Sequence, residues 1–172
     1  MRAFDNRKLP EPWSKKHVAI VGGLFAVGYA EGSDTLLVVS HDGRGVFDAL
    51  SGERLARESN PPHVSWFSEI PYRAQGIGPL SGRSIQLSGL HGGGLPTVTR
   101  DGWSVEVLPI DWPDRIVFLQ PPLMSVMIEG RGAGCARIDV TEEMRAAGFS
   151  ETGQSFVIAT SNDISFYVRA EP

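Results

Sequence analysis

Residues 24–58 read LFAVGYAEGSDTLLVVSHDGRGVFDALSGERLARE, and this stretch indicates the fold of the whole chain. Short apolar runs alternate in it with polar turns. The turns are Glu31-Gly32-Ser33-Asp34, His41-Asp42-Gly43 and Ser51-Gly52-Glu53. Asp-Gly and Ser-Gly pairs between apolar runs are typical of hairpin turns. The stretch therefore predicts three or four short strands joined into one antiparallel meander.

A second stretch with the same order of runs and turns lies at residues 144–169, MRAAGFSETGQSFVIATSNDISFYVR. Residues 141–147 also have the composition of a short helix that would end at Gly148. We prefer the strand interpretation, because a turn signal follows every seven or eight residues here. The two stretches align as Gly28–Ser33 over Gly148–Gly153, Leu36–Ser40 over Phe156–Ser161, and Gly45–Leu50 over Ile164–Val168.

These two units resemble the blades of WD-repeat β-propellers, in which a strand ends with the pair Trp-Asp. Val46-Phe47-Asp48 matches that ending with Phe in place of Trp. Phe166-Tyr167-Val168 keeps the aromatic character and lacks the Asp, and no Gly-His pair stands where the family has one. The resemblance implies an all-β protein of blade-like sheets that serves as a binding platform without catalytic residues.

The spacing of the two units predicts how many sheets the chain forms. Ser40 and Ser161 end equivalent strands and lie 121 residues apart, which is three repeats of about 40 residues. We therefore expect residues 17–172 to form a single β domain of about four blade-like antiparallel units, a small or partial β-propeller. A β-sandwich of short strands is the alternative. Residues 1–16 are expected to be a polar N-terminal arm.

The last unit lacks a fourth strand, and the chain has a spare one near its start. Val18–Val21 is apolar and precedes the first unit. If this segment paired with Ile164–Arg169, two exposed sheet edges would be covered at once. We therefore predict that the N-terminal strand completes the last sheet.

Composition and charge narrow the classes of function. The net charge is −4, with +1 in residues 1–86 and −5 in residues 87–172, which disfavours a nucleic-acid binder. Cys135 is the single cysteine, so no intrachain disulfide is possible, and a reducing, cytoplasmic setting is expected. No apolar run is long enough for a membrane span. Lys15-Lys16 before the apolar stretch Val18–Ala30 leaves a signal peptide within residues 1–30 as an alternative.

Two glycine-rich segments invite a catalytic interpretation. His91-Gly92-Gly93-Gly94 is similar to the oxyanion loop of lipases and esterases, but the chain has no Gly-x-Ser-x-Gly elbow to accompany it. Gly130-x-Gly132-x-Gly134 has no helix after it and lacks the last glycine of a dinucleotide-binding loop. Both are interpreted as flexible turns, and a small hydrolase that uses the His91 loop is kept as an alternative function.

Other reactive residue types are also better explained as structural. Ser40-His41-Asp42 brings three residue types of a catalytic triad together, but neighbouring turn residues point in different directions. The four histidines show no pair at a ligand spacing, so no zinc is expected. Cys135 is expected to be a buried small residue. The sequence therefore predicts a non-enzymatic protein without a cofactor.

The remaining candidate is an acidic, aromatic loop that would contact a partner protein. Residues 110–114 read Ile-Asp-Trp-Pro-Asp, between two predicted strands. An aromatic anchor among charges is typical of a binding hot spot. We predict that Glu106, Asp111, Trp112 and Asp114 bind a basic protein partner. The predicted function is a protein-binding module, most specifically an immunity or antitoxin-type inhibitor of a toxin nuclease, and a scaffold subunit of a larger assembly is a further alternative.

Overall fold

The computed structural model describes residues 5–60, 66–111, 114–140 and 143–170, and this part of the chain is built from β-strands. It contains one short 3₁₀ helix, Gly78–Leu80, and no helix within these residues is long and apolar enough to span a membrane. The strands are β1 (Trp13–Ile20), β2 (Leu24–Tyr29), β3 (Thr35–Ser40), β4 (Gly43–Asp48), β5 (Arg54–Glu58), β6 (Phe67–Glu69), β7 (Tyr72–Gln75), β8 (Ser84–Gln86), β9 (Ser88–Gly89), β10 (Ser104–Asp111), β11 (Asp114–Gln120), β12 (Ala136–Val140), β13 (Met144–Phe149), β14 (Ser155–Thr160) and β15 (Asp163–Arg169).

The described residues form four antiparallel sheets, and the all-β, blade-like class predicted from the sequence is confirmed. The first repeat-like unit forms the sheet β5-β4-β3-β2-β9, and the second forms the sheet β1-β15-β14-β13. The segment between the units supplies the three-stranded sheets β6-β7-β8 and β10-β11-β12. The strand interpretation of residues 144–149 is confirmed by β13.

The two units share the geometry of their first turn as well as their strand order. In the first unit the amide of Ala30 donates to the carbonyl of Thr35, and the amide of Ser33 donates to the carbonyl of Ala30. The aligned residues of the second unit repeat both bonds, from Ser150 to Ser155 and from Gly153 to Ser150. The turns also touch each other, because the carboxylate of Asp34 accepts hydrogen bonds from Ser155 Oγ at 2.6 Å and Thr152 Oγ1 at 2.7 Å.

The predicted closure of the last sheet by the N-terminal strand is confirmed. β1 pairs antiparallel with β15, with Val18 opposite Ser165 and Ala19 opposite Ile164. The strand begins at Trp13, so residues 13–16, which the sequence assigned to the polar arm, belong to the sheet. Trp13 is the reason, since its buried ring lies in the core between two sheets.

The rest of the arm is also held against the domain. The backbone carbonyl of Asn6 accepts a hydrogen bond from the amide of Arg137 at 2.7 Å, beside the edge of β12. The side chain of Asn6 donates to the carbonyl of Cys135, and Arg7 forms an ion pair with Asp139. The segment therefore runs from the sheet of β10–β12 to the sheet that β1 completes.

Three apolar clusters lie between the four sheets. The sheet of β2–β5 packs one face on the sheet of β13–β15, with Phe47 and Phe166 in contact, and its other face on the sheet of β6–β8. The second face of the sheet of β13–β15 packs on β10–β12 through Phe149, Phe156 and Val117. No apolar cluster of the described residues joins β6–β8 to β10–β12, so the sheets form a stack with two outer members.

Residues 86–96 pack against β2 of the first repeat-like sheet and β13 of the second, and we call these two sides the inner edges of the central sheets. Glycines in both strands make room for the segment. A Cβ atom at Gly28 in β2 would lie 2.1 Å from the carbonyl oxygen of Gln86, and one at Gly148 in β13 would lie 2.5 Å from Leu95 Cβ. The amide of Phe149 donates to the carbonyl of Pro96. Residues 86–96 thus cover both inner edges, and they can approach closely because the aligned positions of the two units are both glycine.

Candidate partner-binding surface

The residues predicted to bind a partner lie on the hairpin formed by β10 and β11. Asp111 ends β10 and Asp114 begins β11, and the two are paired across the hairpin. Trp112 lies outside the described residues, so its exposure stays a prediction. Asp114 is exposed. The exposed carboxylate of Asp114 contributes a negative charge at this end of the hairpin.

Glu106 belongs to a different part of the surface from this hairpin end. It lies five residues before Asp111 on the same strand, roughly 16 Å away at the rise of an extended chain. The structure therefore places the three predicted residues that it describes at two positions, with Asp111 and Asp114 at the hairpin end and Glu106 farther along β10.

Glu106 has a clear structural partner, the buried side chain of Gln120. Its carboxylate accepts a hydrogen bond from Gln120 Nε2 at 3.1 Å. The same Nε2 lies 3.3 Å from Ser104 Oγ, and Gln120 Oε1 accepts from the amide of Val126 at 2.9 Å. Because both the nitrogen and the oxygen of the amide are hydrogen-bonded, Glu106 helps to fix the orientation of the Gln120 side-chain amide. Gln120 in turn holds the loop that follows β11.

That loop exposes the largest run of apolar side chains in the described part of the chain. Leu123 is 86% exposed, Met127 55% and Ile128 52%, and Met124 is also exposed. We call residues 121–131 the apolar loop. The short apolar run Met124–Ile128 predicts a strand from the sequence alone, but this is wrong, because the segment forms successive turns between Pro121-Pro122 and Gly130. Neighbouring exposed apolar side chains of this size usually mark an interaction site.

Hydrogen bonds hold the apolar loop in one conformation. The amide of Ser125 donates to the carbonyl of Arg131 at 2.8 Å, and the amide of Arg131 donates back to the carbonyl of Ile128 at 3.0 Å. The amide of Met124 donates to the carbonyl of Pro121. Leu123 has a φ of +65°, a left-handed conformation that non-glycine residues rarely adopt. The loop is therefore arranged before any partner binds, which reduces the entropy lost on binding.

The glycine run after His91 has a packing explanation. A Cβ atom at Gly93 would lie 2.2 Å from the carbonyl oxygen of Leu87, and Gly89 and Gly92 exchange backbone hydrogen bonds. The imidazole of His91 packs edge-on against the rings of Phe25 and Tyr72. The glycines thus serve a tight backbone turn beside an aromatic cluster.

The side chains that could act as a base and a nucleophile do not meet in the described residues. His41 lies 5.4 Å from the Phe25 ring, and Ser40 Oγ donates to the carbonyl of Gly43. No hydrogen bond joins an imidazole to a Ser or Cys side chain within the ranges that the structure describes. Cys135 is fully buried, as predicted, and burial raises the pKa of its thiol, which keeps it in the unreactive form.

Within the described ranges there is no group of three or more His, Cys, Asp and Glu side chains that could hold a metal ion.

Comparison with known proteins adds no assignment. No protein-family model, no curated protein and no solved structure matches the chain. The function must therefore be argued from the surface itself.

Proposed function

We propose that this protein is a non-enzymatic protein-binding module, and more specifically an immunity or antitoxin-type inhibitor of a basic partner such as a toxin nuclease. The apolar loop carries the proposal. Leu123, Met127 and Ile128 are exposed on a segment that the buried amide of Gln120 holds in place. Methionine side chains adapt to partner surfaces, and loops on β-scaffolds often carry recognition.

The acidic residues support a basic partner. The charge of residues 87–172 is −5, and Asp114, at the start of β11, is exposed. Three carboxylates of this half, Asp101, Asp139 and Glu143, are in ion pairs with arginines. Asp114 has no such ion pair with a described residue and is free to attract a positive partner. A field of this sign increases the association rate with a basic protein, and salt reduces the increase.

The proposal is tested with the purified protein as bait and mass spectrometry as the readout. A double variant, Leu123→Ser with Met127→Ser, is compared with Ile70→Ser, which removes one 93% exposed apolar side chain from the β6–β7 turn. We expect one basic partner to be retained by the wild type and by Ile70→Ser and lost with the double variant. A partner that is retained equally by all three proteins, or no specific partner, contradicts the proposal.

The identified partner then allows each predicted contact to be measured. Trp112→Ala should cost about 2 kcal/mol or more of binding free energy if Trp112 is the anchor. Asp114→Lys should chiefly lower the association rate, and more strongly at low salt. Full affinity of Trp112→Ala, with association that does not depend on salt, would remove the hairpin from the interface and leave the apolar loop as the proposed contact.

A further inference from the structure

A second surface lies at the β5 edge of the first repeat-like sheet, and its residues suit the binding of a peptide. β5 is the last strand of the sheet β5-β4-β3-β2-β9 and pairs only with β4. Its outer backbone edge has no strand partner among the described residues. An open edge can accept an additional strand, with main-chain hydrogen bonds supplying affinity and side chains supplying selectivity.

Two arginines of β5 point to the same face of this sheet. Arg54 is paired with Phe47 and Arg57 with Gly45, and directly opposed residues of neighbouring strands share a face. A register shift between the two pairs makes Leu55 the extra residue, so that arginines three positions apart lie on one side. Ala56 points to the other face, where it packs on the apolar cluster with Trp66 and Tyr72.

These two guanidinium groups lack the carboxylate partners that several other arginines of the domain have. Arg44, Arg137, Arg145 and Arg169 each form an ion pair with a carboxylate. Arg54 and Arg57 are exposed, and their side chains make no hydrogen bond or ion pair with any described residue. In a protein with a net charge of −4, two unpaired positive groups on one strand face favour a negative ligand.

A pocket lies between these arginines and the β1–β2 turn. Its volume is about 110 Å³, and the buried residues Val38 and Phe47 are among those that line it. Ile20, which is 80% exposed, stands at its rim. Three guanidinium groups and two carboxylates line the described part of the pocket, and one of those carboxylates, Glu58, is in an ion pair with Arg44.

We propose that β5 binds an extended, acidic peptide segment of a partner protein by strand addition. The peptide backbone pairs with the open edge of β5, and its carboxylates lie beside Arg54 and Arg57. Alternate side chains of an extended strand lie on one face, so a peptide of alternating acidic and apolar residues turns all of its carboxylates toward these arginines. This surface is separate from the apolar loop, and the proposal does not depend on the function proposed above.

The test is a titration of the full-length protein with a fluorescently labelled peptide of alternating Glu and Val, followed by anisotropy. The double variant Arg54→Glu with Arg57→Glu should weaken binding by about tenfold or more, since it removes two ion pairs and adds repulsion. The control is the double variant Arg100→Glu with Arg131→Glu, which makes the same net charge change at two exposed positions away from β5. We expect wild-type affinity with this control, and an equal loss in both variants would show a non-specific charge effect and overturn the proposal.

Hydrogen exchange distinguishes strand addition from a simple anion site. Bound peptide should slow amide exchange in residues 54–58 and leave exchange in β12 unchanged. Inorganic phosphate that displaces the peptide at equal ionic strength, with no slowing of exchange in β5, would overturn the peptide assignment in favour of a small-anion site. Slower exchange in β5 that rises with protein concentration in the absence of peptide would overturn it in favour of a second copy of the chain.

Discussion

The interface between the two repeat-like sheets and the apolar loop use similar side chains in opposite ways. Phe166 of β15 is completely buried between the two sheets, whereas Leu123 of the apolar loop is 86% exposed. Both lie in short apolar runs bounded by turn residues. The difference teaches that an apolar run becomes part of the core only where a facing sheet is available to cover it. A comparable run that connects β11 to β12, in an outer sheet, stays exposed.

The largest effect is expected from truncation of a buried aromatic side chain. Phe166→Ala should lower the free energy of unfolding by about 3–5 kcal/mol, because it leaves a cavity beside Phe47 in the tightly packed cluster. Leu123→Ala should change it by less than about 0.5 kcal/mol, as is usual for surface positions. Chemical denaturation of both variants measures the contrast. A large loss with Leu123→Ala would mean that the apolar loop belongs to the core.

The next effect concerns the close approach of residues 86–96 to the inner edges. Gly28→Ala should destabilise the protein by roughly 1–3 kcal/mol, because the new methyl group collides with the backbone carbonyl of Gln86. Gly22→Ala is the matched control, since a Cβ atom there meets nothing within 4 Å. Thermal unfolding under one set of conditions compares the two. Equal melting temperatures would show that the crossing segment does not restrict β2.

A smaller effect is expected from Tyr167, which lies in the cluster between β13–β15 and β10–β12. Burial raises the pKa of its hydroxyl to about 12 from an ordinary value near 10. The unfolded chain therefore loses this proton first, and stability falls as the pH rises from about 10 to about 12, by roughly 1–2 kcal/mol. Tyr167→Phe removes this group, and its unfolding free energy should fall less across that window. Parallel pH curves for both proteins would contradict the expectation.

The smallest change in stability is expected at the predicted site residue Glu106. Glu106→Gln keeps the size of the side chain and weakens the charge-assisted bond to Gln120, so the free energy of unfolding should fall by less than about 1 kcal/mol. The informative readout is local, namely faster amide exchange at Val126, which Gln120 holds. Gln120→Leu should speed exchange there more strongly. Unchanged exchange at Val126 in both variants would show that this network does not hold the apolar loop.

Local signals predicted the strands well, and non-local packing explains the errors. Asp-Gly and Ser-Gly turns predicted the hairpins of the first repeat-like unit, and turn residues at 150–153 and 161–163 predicted those of the second. The missing fourth strand predicted the pairing of β1 with β15. The strand prediction for residues 124–128 was wrong because short apolar runs look alike in sequence whether they form a strand or a turn. The start of β1 was misplaced because the polar character of residues 1–16 suggested an arm, while charged side chains are also common on exposed edge strands.

The candidate site was only partly accessible from the sequence. The acidic hairpin of Asp111 and Asp114 follows from the turn between two predicted strands, and the structure pairs the two residues as expected for a hairpin. The bond of Glu106 to Gln120 joins residues 14 positions apart, and it depends on the register of two strands that no local pattern specifies. Whether the outer edge of β5 is covered depends on how the sheets pack against each other, which no local sequence pattern specifies.

The sequence by itself determined the class of the fold, because alternating apolar runs and glycine-containing turns permit little other than antiparallel hairpins. It also determined the repeat that relates the two central sheets. The order in which the sheets stack, the burial of Trp13 and the exposure of Leu123 were decided only by the tertiary structure. The physical reason is that burial is a property of facing surfaces: a segment's own residues supply the apolar area, and distant segments decide whether that area is covered.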